Sequence, residues 1–141
     1  MKMTYSSVMI MLKKAMIMHY YEVSAMDNQL EKIRDIWVNA FFTGNFELLS
    51  QYEHEQFKVV YEQENRVESN FTRYERIAHA VKNGVWKPQK PVISFVEFEF
   101  DRDLTHCKVL SRLKNDKQVQ ELWVNDGVWK IVELRFSTNK R

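Results

Sequence analysis

The sequence predicts one α+β domain in which three helices pack on a curved antiparallel sheet that forms a cone, with an extra helix at the amino terminus. Up to Lys82, apolar residues recur at spacings of three and four, which is the period of an amphipathic helix. From Val92 onward, four runs alternate apolar and polar residues and are separated by short turns rich in Asn, Asp and Gly. A chain of 141 residues can bury a substantial core, so a single domain is expected.

Residues 1–25 form an extension that differs in composition from the rest of the chain. All seven methionines lie within the first 26 residues. An apolar stripe at helical spacing predicts an extra helix here, although Met26 is an alternative biological start. Two lysines interrupt the apolar stretch that a secretory signal needs, which favours a cytoplasmic protein. The domain proper is expected to span residues 26–141.

The helices of the domain are delimited by capping residues and glycines. Asp27 and Asn70 can accept hydrogen bonds from the first free backbone N–H groups of the helices that follow them. Gly44 and Gly84 are expected to end the first and third helices. The predicted helices are Asp27 to Phe42, Phe46 to Tyr52 and Phe71 to Lys82.

The strands are predicted from period-two alternation and from the turns between them. One strand precedes the third helix, and four follow it as an antiparallel meander. The connector that leads into the meander contains Pro88 and Pro91. The predicted strands are Phe57 to Glu64, Val92 to Asp101, Thr105 to Lys114, Gln118 to Asn125 and Val128 to Ser137.

Composition excludes several classes of function. The net charge is +2 and no segment concentrates Lys and Arg, so no nucleic-acid partner and no membrane association are expected. With only three glycines the chain holds no phosphate-binding glycine loop, and no cofactor is expected. Cys107, the single cysteine, is expected to be a buried inert thiol. The four histidines are too scattered to predict a metal site: His19, His54, His79 and His106.

Two strings of the sequence resemble a known scaffold. In IWVNAFFTGNFELL, Trp37, Ala40 and Gly44 keep its helix–turn–helix spacing, and ELWVNDGVWKIVELRFS matches its last hairpin. On these strings the chain resembles the nuclear transport factor 2-like superfamily, or cystatin-like α+β cones, over roughly residues 27–137. The superfamily includes ketosteroid isomerases, polyketide cyclases and many uncharacterised bacterial proteins. The resemblance implies a cone, open at one end, that holds either a small molecule or packed side chains.

The resemblance does not carry over the catalytic residues of the superfamily's enzymes. Trp37 stands where the isomerases keep an oxyanion-binding tyrosine, and Tyr61 stands where they keep the aspartate that moves the proton. A tyrosine, with a reference pKa of about 10, is a poor base at neutral pH. The cyclases place a histidine and an aspartate on the last strand, where this chain has apolar residues. We therefore expect no catalytic residue at these positions.

The expected function is binding of a small apolar ligand inside the cone, oriented by Tyr61 and the indole of Trp37. The expected cavity wall consists of Trp37, Phe41, Tyr61, Val132, Leu134 and Phe136. If the cone is filled by Trp37, Phe41, Leu134 and Phe136, the protein is instead a dimeric interaction protein. An isomerase, cyclase or hydratase would need a polar group inside, which Glu121 or Gln120 would supply, depending on the register of the last hairpin.

The opposite face of the sheet is expected to form a homodimer. The residues predicted to face outward mix large apolar groups with both charges, as a self-complementary interface requires. The acidic side chains on the strand that ends at Asp101 alternate with core residues, which favours a solvated or dimer-facing row over a catalytic pair. The predicted dimer face consists of Glu97, Glu99, Leu110, Arg112, Trp129, Ile131 and Arg135.

Overall fold

A computed structural model describes residues 29–138 of the chain. The chain divides into two compact units, residues 1–32 and 33–141. Of the first unit the structure describes residues 29–32, which are helical. The extension predicted over residues 1–25 and the predicted cap at Asp27 lie outside the described residues. No helix in the described part is long and apolar enough to cross a membrane.

The second and third helices begin at residues whose side chains accept backbone hydrogen bonds. The Asn45 side-chain oxygen accepts from the Leu48 N–H at 3.1 Å. The Ser69 hydroxyl accepts from the Thr72 N–H at 3.3 Å, so the third helix is capped one residue before the predicted Asn70. The helices in the described part are α1, residues 29–43, α2, Phe46–Tyr52, and α3, Asn70–Lys82.

Gly44 makes the turn between α1 and α2 possible. Its φ of +73° lies in the left-handed region of the backbone, which residues with a side chain rarely adopt. A Cβ at this position would also lie 2.5 Å from Cγ2 of Val81 and 2.8 Å from Cδ1 of Trp86. The missing side chain therefore lets α3 and the residues after it approach the turn. The indole of Trp86 is fixed there because its Nε1 donates to the carbonyl of Phe41 at 2.8 Å.

The described strands are β1, Glu53–Tyr61, β2, Arg66–Ser69, β3, Ile93–Phe100, β4, His106–Leu113, β5, Lys117–Asn125, and β6, Trp129–Thr138. They form one curved sheet in the order β2-β1-β6-β5-β4-β3. The pairings are antiparallel except between β1 and β6, which run parallel. The four-strand meander and the α+β class predicted from the sequence are confirmed, whereas the short strand β2 was not predicted.

One face of the sheet, here called the inner face, carries the helices and the core. Phe57, Val59 and Val109 are buried on it, and so is Cys107, as predicted. The Trp123 ring lies edge-on to Trp37 of α1, with ring centroids 5.6 Å apart. Burial of such large apolar side chains between helix and sheet is the main favourable contribution to folding.

A β-bulge interrupts the alternation of β6. Trp123 pairs with Ile131, but the preceding Leu122 pairs with Glu133. Val132 is therefore an extra residue in β6 with no counterpart in β5. Such an insertion reverses which side chains face each side of the sheet along the strand.

The bulge overturns three of the assignments made from the sequence. Trp129 and Ile131, predicted on the outer face, are fully buried, because the residues before the bulge face inward. Leu134 and Phe136 face inward after it, as predicted. Val132, predicted inside the cone, lines a groove on the other face of the sheet, here called the outer face.

Candidate functional site

A cavity of about 640 Å³ lies between the inner face, α1 and the connector from α3 to β3. Ligand sites in proteins commonly occupy about 300–1,000 Å³. The connector segment that borders the cavity, residues 85–92, is called the strap here, and Pro88, Gln89, Lys90 and Pro91 line the cavity from it. Five of the six predicted wall residues also line it: Trp37, Phe41, Tyr61, Leu134 and Phe136.

The greater part of the wall is aromatic or aliphatic. Tyr61 and Phe136, on the adjacent strands β1 and β6, stack with ring centroids 5.3 Å apart and an interplanar angle of 12°. The guanidinium of Arg66 lies 3.9 Å from the centroid of the Tyr61 ring. The remaining apolar lining comes from α1 and from four strands: Val38, Phe42, Val59, Ile93, Leu113 and Val119.

A buried cluster around Glu53 holds the helices at the edge of the cavity. The carboxylate accepts from Trp37 Nε1 at 2.8 Å, from Arg73 Nη1 at 2.9 and 3.0 Å, and from the Tyr74 hydroxyl at 2.7 Å. Burial, followed by the hydrogen bond to Glu53 and its negative charge, raises the pKa of Tyr74. The indole of Trp37 is therefore engaged by Glu53, and the prediction that it orients a ligand is wrong. That Tyr61 orients a ligand stays a prediction.

A second cluster surrounds Glu121, which lines the cavity. Arg34 of α1 binds this carboxylate through Nε at 2.8 and 3.0 Å and through Nη2 at 2.7 Å. Trp123 Nε1 donates to it at 2.8 Å, and Arg34 Nη2 lies 3.5 Å from the Ser111 hydroxyl. Gln120, the alternative inward residue, pairs with Leu110 and faces outward. Charge-assisted bonds of this kind suit Glu121 to anchoring α1.

Charged groups of the remaining wall lie nearer its rim. Arg76 binds Glu68 through two nitrogens at 2.6 and 3.0 Å. Lys90 and Asp35 are exposed residues that also line the cavity. In residues 29–138 no group of three or more His, Cys, Asp and Glu side chains could hold a metal ion, and none of the described lining residues is a histidine.

The outer face has a mixed surface. Five of the predicted dimer residues lie on it. Lys108 of β4 forms an ion pair with Glu99 of β3 at 3.6 Å, and Arg135 of β6 forms one at 3.6 Å with Glu62, in the turn after β1. The groove on this face, of about 580 Å³, has Leu122, Val124 and Val132 in its lining. The five predicted residues found here are Glu97, Glu99, Leu110, Arg112 and Arg135.

Asp101, the last acid of the predicted row, closes the turn between β3 and β4. Its Oδ1 accepts from the backbone N–H groups of Thr105 at 2.9 Å and His106 at 3.1 Å. Desolvation acts to raise the pKa of Asp101, but these hydrogen bonds, and those from the same two side chains, lower it overall. The residue therefore has a structural role in the hairpin.

Comparison with known proteins identifies the fold. No family model matches the sequence, and no curated protein matches it. An NTF2-like protein from Cytophaga hutchinsonii is 13% identical, with a TM-score of 0.62 over 79% of this chain and 97% of that one. A candidate ketosteroid isomerase from Shewanella frigidimarina is 14% identical, with a TM-score of 0.58 over 79% and 97%. The CaMKII hub of S. rosetta is 11% identical, with a TM-score of 0.58 over 79% and 95%.

These similarities show that the chain has the nuclear transport factor 2-like, or cystatin-like, fold, as the sequence predicted. Identities of 14% and below are informative about the fold alone. The descriptions of the three similar proteins also differ, and a shared fold does not give a shared function. The function must therefore be argued from the residues of this chain.

Proposed function

We propose that the protein binds a small, largely apolar molecule in the cavity of the inner face. The observation that carries this proposal is a volume of about 640 Å³ bounded mainly by aromatic and aliphatic side chains. A cone filled by packed side chains, as an interaction protein would have, would leave no space of this size. We also propose that the protein is cytoplasmic, because two lysines interrupt the apolar stretch within residues 1–25.

Catalysis is less well supported than binding. A proton-transferring enzyme needs a carboxylate or histidine that can approach the substrate and exchange a proton with it. Glu121 is the buried carboxylate that lines the cavity, and it is held by Arg34 and Trp123. Proton uptake there would sacrifice three charge-assisted contacts to Arg34. An isomerase, cyclase or hydratase remains the alternative because one protein with this fold is a candidate ketosteroid isomerase.

The proposal is tested by titrating the protein with 2-naphthamide, a flat neutral probe, by isothermal calorimetry. At about 0.3 kcal/mol per heavy atom, a probe of this size should bind with a Kd of about 1 mM or tighter. Val119→Phe should weaken binding at least about fivefold, because Val119 lines the cavity. Val124→Phe is the matched control, since Val124 lies on the same strand and lines the outer groove. Absence of binding, or equal effects of the two variants, rejects the cavity as the site.

We also propose that the outer face forms a two-fold homodimer. Leu110, Leu122 and Val132 supply apolar surface there, the acids of β3 lie beside basic residues of β4, and β6 adds Arg135. A patch of this composition is suited to pairing with its own copy. Sedimentation velocity at tens of micromolar should show a dimer that Leu110→Asp converts to a monomer. Val67→Asp, on the edge strand β2, should leave the dimer intact, and a monomeric wild type would disprove the interface.

A further inference from the structure

We propose that the molecule bound in the cavity carries a single carboxylate, which is held between Arg73 and Lys90 at the end bordered by Phe41 and Phe42. This inference rests on the small-molecule binding proposed above and adds the chemical class of the ligand. The polar groups of the wall divide into those already engaged within the protein and those that can still form hydrogen bonds.

Arg73 is buried but only partly engaged. Its side chain is 3% exposed, and a single nitrogen, Nη1, makes both contacts with Glu53. Within residues 29–138 the Nε and Nη2 groups donate no hydrogen bond, although Arg73 lines the cavity. In the described residues the side-chain atom that is buried without a hydrogen-bond partner is Trp129 Nε1, so the free guanidinium nitrogens of Arg73 remain accessible from the cavity that Arg73 lines. A guanidinium is well matched to a carboxylate. A ligand carboxylate would supply the missing acceptor.

Lys90 brings a second cation to the same end of the cavity. Its Nζ lies 5.4 Å from the centroid of the Phe42 ring and forms no ion pair in the described part of the chain. The rings of Phe42 and Phe41 are 5.3 Å apart, and Arg73 Cζ lies 5.9 Å from the Phe41 centroid. The two cations therefore flank one pair of aromatic rings, over which an apolar ligand body can pack.

The strap holds Lys90 in position. Trp86 anchors the first part of the strap. The Trp86 indole donates to the Phe41 carbonyl at 2.8 Å, and the two rings lie edge-on with centroids 5.2 Å apart. Pro88 and Pro91 restrict the backbone on both sides of Lys90. A cation on a stiffened segment loses less freedom when it binds an anion than one on a flexible loop.

The charge balance favours one negative charge on the ligand. Glu53 offsets the charge of Arg73, which leaves Lys90 as the cation at this end that no carboxylate of residues 29–138 neutralises within 4.0 Å. A monoanion matches that charge, whereas a doubly charged phosphate would exceed it. Asp35 lines the cavity and is exposed. It would favour an amine instead, so the test must include one.

Three probes of the same shape separate these cases by calorimetry at pH 7 and low salt: 2-naphthoate, 2-naphthamide and 2-naphthylmethylamine. The wild type should bind the carboxylate about tenfold more tightly than the amide and should bind the amine most weakly. Lys90→Met should reduce the advantage of the carboxylate at least about threefold and leave the affinity for the amide unchanged. Lys87→Met is the control, because Lys87 is an exposed strap residue outside the lining.

Each outcome supports or overturns one or both of the proposals. Equal affinity for carboxylate and amide, or preference for the amine, overturns the carboxylate proposal and leaves small-molecule binding standing. A carboxylate preference that survives Lys90→Met unchanged overturns the placement of the anion beside the strap. If none of the three probes binds, the cavity is not a ligand site, and both proposals fail. Since Lys90 is exposed, its replacement is not expected to disturb folding.

Discussion

Replacing Glu53 with glutamine should be among the most destabilising near-isosteric changes in this protein. The Glu53 side chain is fully buried and that of Arg73 is 3% exposed, so the substitution leaves a buried cation without its counter-ion. Breaking a buried pair in this way costs about 3–5 kcal/mol. The glutamine oxygen can still accept one of the bonds from Trp37 and Tyr74, which places the expected loss near the lower end, about 3 kcal/mol.

The assay is urea denaturation at pH 7, with thermal melting as a second measurement. For a chain of 141 residues, a loss of about 3 kcal/mol corresponds to a fall in Tm of roughly 10 °C. Glu64→Gln is the matched control, because the Glu64 and Arg66 side chains are 61% and 46% exposed. Exposed pairs of this kind contribute only about 0.2–1 kcal/mol.

A double substitution checks the cause of the loss. Adding Arg73→Met to Glu53→Gln removes the uncompensated cation, so the second change should cost much less in the double variant than Arg73→Met costs alone. If Glu53→Gln lowers the free energy of unfolding no more than Glu64→Gln does, the buried pair does not hold α3 to the sheet. The cluster around Glu53 would then have no stabilising role.

Two further predictions concern the turn after α1 and the alkaline limit of stability. Gly44→Ala should lower the free energy of unfolding by about 1–3 kcal/mol more than Gly84→Ala does. Both positions have positive φ, but of the two only Gly44 has neighbours that an added Cβ would overlap. Equal losses of unfolding free energy in urea denaturation would refute the close contact. The pKa of Tyr74 is raised in the folded state, so the unfolded chain loses this proton first and stability falls as pH rises above about 10. Tyr74→Phe should remove that component, and an unchanged slope between wild type and variant would contradict it.

The parts of the fold with a local signal could be predicted from the sequence. Gly44 marks the turn between two helices because glycine accepts φ of +73° without strain, and the meander follows from alternation and turn residues. The bulge at Val132 has no such signal. Apolar residues occupy both the odd-numbered positions Trp129 and Ile131 and the even-numbered positions Leu134 and Phe136. The string therefore fits either orientation of the strand. An inserted residue becomes evident only when the pairing with β5 is known.

The polar half of the site could not be predicted because its partners are far apart in the sequence. Glu53 and Arg73 are separated by 20 positions, and Arg34 and Glu121 by 87. Charged residues are mostly exposed, so an isolated Arg or Glu in a helix or strand is normally interpreted as a surface group. For Glu121 the sequence left two registers open, and only the pairing of β4 with β5 determines that it points inward while Gln120 does not.

The two clusters share an arrangement that bears on what the cavity can do. In each, one carboxylate binds a tryptophan indole and an arginine: Glu53 binds Trp37 and Arg73, and Glu121 binds Trp123 and Arg34. The two tryptophan rings lie edge-on to each other, with their centroids 5.6 Å apart. The two clusters therefore fix the position of one continuous aromatic part of the interior.

A carboxylate used in this way fixes the position of its neighbours, and it cannot also exchange a proton without releasing them. Preorganised walls of this kind lower the entropic cost of binding, because their side chains are ordered before a ligand arrives. An enzyme would instead need an acid or base with unused hydrogen-bonding capacity inside the cavity. Among the buried charged groups of the wall in residues 29–138, the one with such capacity is Arg73, which donates hydrogen bonds and accepts none, and this favours recognition of an anion over transfer of a proton.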